Sequence, residues 1–88
     1  MSDDWRPLIR ALIYPVQFDP RPEEEVGRVL AVVVDRRALG GERADYLAAT
    51  RDALNSSEEL SRLIPQDHPE EVVRRYLKAV QRALAAGS

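Results

Sequence analysis

Apolar residues recur at helical spacing along most of this chain, with prolines, glycines and short polar turns between the recurrences. The first set is Trp5, Leu8, Ile9, Leu12 and Ile13, which share one face of a helix. Asp3 or Asp4 is placed to cap it, and Pro7 is tolerable only near such a start. Pro15 disfavours helix at Tyr14, so the element is predicted to end there. From Tyr14 to Pro22 the prolines Pro15, Pro20 and Pro22 predict an extended, stiff segment.

A second helix is expected from about Pro22, with Glu23, Glu24 and Glu25 matching its positive end and Val26, Val29, Leu30 and Val33 facing inward. Val32, Val33 and Val34 are β-branched and consecutive, which suits a buried strand equally well. Length favours helix, because the pattern from Glu23 to Arg36 outruns a typical strand. Gly40-Gly41 then breaks the chain.

A third helix is predicted from Glu42 to Leu54, with Leu47, Thr50 and Leu54 inward and Ala44 and Ala48 permitting close approach. Asn55-Ser56-Ser57 reads as a turn. Ser56 and Glu59 have capping-box spacing, so a short helix should carry Leu60, Leu63 and Ile64 to Pro65. The last helix opens at Pro69 with Glu70 and Glu71 in its first turn, and Val73, Tyr76, Leu77, Val80 and Leu84 mark its inner face. Gly87 and Ser88 let the chain fray. The expected fold is all-α, a single domain over 1–88 built as an irregular bundle of four to five helices. The alternative is α+β, with Leu30–Val34 as a strand.

Composition fits a folded domain with a charged surface: 44% of residues are hydrophobic and 32% charged. At 88 residues the core is thin. Fifteen acids against 13 bases leave a net charge of −2, without the positive excess of a nucleic-acid binder. The turn before the short fourth helix invites comparison with a helix-turn-helix, but that helix presents Glu58 and Glu59 against Arg62 alone, and phosphates would repel it. Lys78 is the lone lysine among many arginines, a preference that fits codon usage in a GC-rich genome. The acidic start Met1-Ser2-Asp3-Asp4 is unlike a secretory signal, and the Val29–Val34 run is too short to cross a bilayer. With no cysteine, the expectation is a soluble cytoplasmic protein.

The chain has no cysteine, a single histidine, His68, and no glycine loop of phosphate-binding spacing. Thiolate metal sites and histidine clusters are thereby excluded, and no cofactor is expected. Asp67-His68-Pro69-Glu70-Glu71 is the one constellation that could hold chemistry, with Asp67 orienting the ring and Glu71 sharing a metal. A metal site needs three or four ligands, so Asp67 or His68 capping the last helix is the preferred reading and no metal is expected.

Three surfaces are candidates for binding a partner. Arg74, Arg75, Lys78 and Arg82 form a basic face on the last helix, although Glu70 and Glu71 lie four residues before Arg74 and Arg75 and can pair with them. Tyr14, Val16 and Phe18 form an apolar strap, expected to be buried across the bundle and otherwise an exposed patch that marks a partner site. Glu58 and Glu59 belong to the competing acidic surface. The leading expectation is a non-enzymatic protein-binding module, a small inhibitor of the bacterial immunity or antitoxin kind whose partner is a toxin or effector protein. The second is a structural or regulatory subunit acting as a homo-oligomer through Val29–Val34 or the strap. The third is an enzyme or metal site at Asp67–Glu71. Neither nucleic acid nor membrane is expected as a partner.

Overall fold

The computed structural model describes residues 4–35, 42–66 and 68–86. The expectations placed on Asp3, Gly40-Gly41, Asp67, Gly87 and Ser88 lie outside them. Among the described residues there are four α-helices and no strand, so the fold is all-α.

Helix α1 spans Arg6–Ile13. Asp4 accepts the Arg6 amide at 3.0 Å, and Ile9, Leu12 and Ile13 are buried on the inner face. The chain does not become extended at Pro15. Proline supplies the φ of a tight helix, and Tyr14–Val16 continue α1 as a 3₁₀ turn. The fully extended strap is therefore corrected to a compact turn, closed by the Asp19 amide on the Val16 carbonyl at 3.0 Å.

The second helical stretch changes pitch twice. Pro22–Glu25 is 3₁₀, α2 is Val26–Val29, and Leu30–Val34 is a π-helical turn closed by the Asp35 amide on the Leu30 carbonyl at 2.8 Å. The valine run is thus helical, and the strand alternative fails. A wider turn gives β-branched side chains room that a regular α-helix denies them. It directs Leu30, Val33 and Val34 inward and leaves Val32 half-exposed.

Helix α3 spans Arg43–Asn55, with Asp45 reaching back to the Glu42 amide at 2.9 Å. Its buried face is Tyr46, Ala49, Thr50 and Ala53; Leu47 and Leu54 are only half-buried, and Ala44 and Ala48 are exposed. Of the inward set predicted at Leu47, Thr50 and Leu54, Thr50 is buried, while Leu47 and Leu54 give way to their neighbours Tyr46 and Ala53. The main neighbour of α3 is α4 (Glu70–Ala86).

The short fourth helix capped by Ser56 and Glu59 is not formed. Ser56 Oγ donates back to the Ala53 carbonyl at 2.7 Å, Glu59 pairs with Arg62 at 2.9 Å, and only a 3₁₀ turn, Leu60–Arg62, follows. Helix α4 matches its expected bounds and buries Val73, Tyr76, Leu77, Val80 and Leu84. The Tyr76 hydroxyl donates to the Leu12 carbonyl at 2.6 Å in the core, joining the first helix to the last. No described helix is long and apolar enough to cross a membrane.

Candidate protein-binding surface

Side-chain burial and bonding separate the basic face into unlike parts. Arg74 turns inward at the foot of α4: it pairs with Glu70 at 2.8 Å and donates to the carbonyls of Leu54, Ser56 and Glu58 at 3.1, 3.0 and 2.9 Å. Arg75, Lys78 and Arg82 are exposed, and Arg75 lies 3.5 Å from a Glu23 carboxylate oxygen. The structure therefore brings Arg75, Lys78 and Arg82 to one outward face and takes Arg74 away from it.

The acidic pair is divided as well. Glu58 is half-buried and accepts both faces of the Arg6 fork, with Arg6 Nε at 3.1 Å from Oε2. Arg6 also donates to Asp4 at 3.0 Å and stacks 4.9 Å over the Trp5 ring. The Arg6 amide, and then its guanidinium, hold the Asp4 carboxyl below its ordinary value. Glu59, by contrast, is exposed beside Arg62. Glu58 thus ties the 56–60 segment to α1, and Glu59 remains at the surface.

His68 does not act as the helix cap expected of it. With its proton on Nε2, the ring donates to the Val16 carbonyl at 3.0 Å, and its amide donates to Gln66 Oε1 at 2.8 Å. The histidine thus pins the loop before α4 onto the Tyr14–Val16 turn. Among the described residues, no three His, Cys, Asp or Glu side chains gather as metal ligands.

The Tyr14–Val16–Phe18 segment is split between core and solvent. Val16 is buried, whereas Tyr14 is 67% and Phe18 85% exposed. The expected buried strap is corrected accordingly: the valine alone anchors it. The turn that displays the aromatics is well fixed, because Gln17 Nε2 donates to the Tyr14 carbonyl at 3.1 Å while His68 and the Asp19 amide both engage the Val16 carbonyl. Beside Tyr14 runs a shallow, open groove of 410 Å³ lined by Pro7, Ala11, Pro15, Val33 and Ile64. Among the described residues, Arg10 is its one charged lining residue, and Arg10 Nε donates to the Leu63 carbonyl at 3.3 Å.

Sequence reasoning singled out Tyr14 but missed Pro7, Arg10 and Ala11. Their spacing held the signal: positions 7, 10, 11 and 14 fall on one helical face, opposite the buried Ile9, Leu12 and Ile13. No protein-family model, curated protein or solved structure matches this chain.

Proposed function

We propose that this protein is a non-enzymatic binding module that docks another protein on the apolar surface at Tyr14 and Phe18. A small inhibitor of the bacterial immunity or antitoxin kind, acting in the cytoplasm on a toxin or effector, needs a fixed scaffold and such a surface. The observation that carries the reading is the exposure of two aromatic rings, 67% at Tyr14 and 85% at Phe18, on a turn held by hydrogen bonds to its backbone. Aromatic rings have few rotatable bonds, and a turn already fixed loses little further freedom on binding. Such rings are the usual energetic centres of protein interfaces.

The competing reading, a homo-oligomer formed through Val29–Val34 or the Tyr14–Phe18 strap, loses the first of these surfaces to burial and keeps the second. Val29, Leu30, Val33 and Val34 already belong to the core of the single chain, which leaves Ala31 and Val32 to face a second copy.

Affinity capture from native lysate tests the proposal, with the wild type compared with a Tyr14→Ser/Phe18→Ser variant. A protein retained by the wild type and lost by the variant is the expected result. Identical captured sets would refute it.

A further inference from the structure

The groove beside Tyr14 has a shape and a charge that limit what can occupy it. Pro7, Arg10, Ala11 and Tyr14 stand at i, i+3, i+4 and i+7 along α1 and its 3₁₀ continuation, so they form one outward helical stripe. Ala11 is the small residue in the middle of the stripe, with Val33 and Ile64 contributing apolar walls from two other segments of the chain. A stripe with a small central residue and apolar walls fits the side chains of an approaching helix, which dock as ridges into a groove. An extended strand would instead need unpaired backbone amides and carbonyls to bond with, and α1 has its own internal ladder.

Charge sets the second condition. Arg10 is exposed at the groove, and its Nε is engaged by the Leu63 carbonyl, which holds the guanidinium in place. Among the described residues, its terminal amino groups have no hydrogen-bond partner and no carboxylate lines the groove. A fixed guanidinium favours a carboxylate in forked geometry and disfavours a cation beside it.

We infer that the groove at Pro7, Ala11 and Tyr14 takes an amphipathic helix of a partner protein, with its apolar face against Ala11 and a Glu or Asp beside that face paired with Arg10. The inference rests on the proposed binding function and names the kind of partner that surface takes.

The test is a titration of isotope-labelled protein with two synthetic helical peptides that share one leucine face and differ only in carrying Glu or Lys beside it. The Glu peptide is expected to move the amide signals of Arg10, Ala11, Tyr14, Val33 and Ile64. It should bind about tenfold more tightly than the Lys peptide, the effect of exchanging attraction for repulsion at one charge pair. Arg10→Glu should reverse that order, with an unchanged circular dichroism spectrum showing that the fold is kept. Equal binding of the two peptides, binding elsewhere, or no binding of either would overturn the inference. So would a wild-type dimer, seen by sedimentation, that Tyr14→Ser dissociates, since the occupant would then be a second copy. In the first three cases, lysate capture that still depends on Tyr14 and Phe18 would leave the binding function standing, so the two failures are distinguishable.

Discussion

Glu70 and Arg74 pair at 2.8 Å one turn apart on α4, and both reach off the helix to hold the segment that leads into it. Glu70 accepts the amides of Leu60 and Ser61 at 3.0 and 2.8 Å, and Arg74 donates to the carbonyls of Leu54, Ser56 and Glu58. The end of a helix leaves carbonyls without internal partners, and here a guanidinium from a neighbouring helix reaches that end of α3.

Arg74 should therefore matter for stability in a way that its neighbours on α4 do not. Arg74→Ala is expected to cost about 2 kcal/mol, since several charge-assisted hydrogen bonds are lost together. Arg74→Lys should recover little, because an ammonium cannot match a planar fork. Arg82→Ala, at an exposed position, should change stability by less than about 0.5 kcal/mol. Urea unfolding of the three variants measures this, and equal losses at 74 and 82 would contradict the assignment.

Acid should weaken the same connection. Burial alone raises the Glu70 carboxyl, but the Ser61 and Leu60 amides together with Arg74 outweigh it and hold the group below its ordinary value of 4.5. A carboxyl depressed in the folded state adds stability that is complete above 4.5 and is lost as pH falls through the folded value. The stability difference between wild type and Glu70→Gln should thus be constant near neutrality and shrink below about pH 4.5. A difference that does not vary with pH would show that the carboxylate charge contributes nothing.

Two buried tyrosines should respond oppositely to loss of the hydroxyl. Tyr76 donates to the Leu12 carbonyl at 2.6 Å, so Tyr76→Phe is expected to lower stability by about 1 kcal/mol. The Tyr46 hydroxyl is buried without a hydrogen-bond partner among the described residues. Removing an unsatisfied buried hydroxyl removes a desolvation cost, so Tyr46→Phe should be neutral or stabilising by up to about 1–2 kcal/mol. Thermal or urea unfolding of the pair reads the sign directly.

How much of this was legible in the sequence depended on whether local pattern or distant partners decided each element. Helix α4 was readable in full because Val73, Tyr76, Leu77, Val80 and Leu84 repeat over a long stretch with acids at its start. On α3, Thr50 was readable as inward, but Tyr46, Ala49 and Ala53 share the buried face with it and leave Leu47 and Leu54 half-buried. Ser56 and Glu59 had the spacing of a capping box, but the acceptor for the Leu60 and Ser61 amides is Glu70, about ten residues away. Local spacing cannot display that substitution. At the binding surface, Tyr14, Val16 and Phe18 were recognisable as a group. Their division into one buried and two exposed side chains depends on the 3₁₀ turn and on His68, which is 52 residues from Val16 in sequence.

Site-specific photocrosslinking distinguishes the candidate surfaces most directly. A photoreactive phenylalanine analogue would be placed singly at positions 14, 59 and 82, which sample the apolar turn, the acidic surface and the basic face of α4. All three positions are exposed, so the fold should tolerate each replacement. Irradiation in native lysate is expected to give a discrete protein adduct from position 14 and none from positions 59 and 82. An adduct from position 59 or 82 with none from position 14 would contradict the assignment of partner binding to the Tyr14–Phe18 surface.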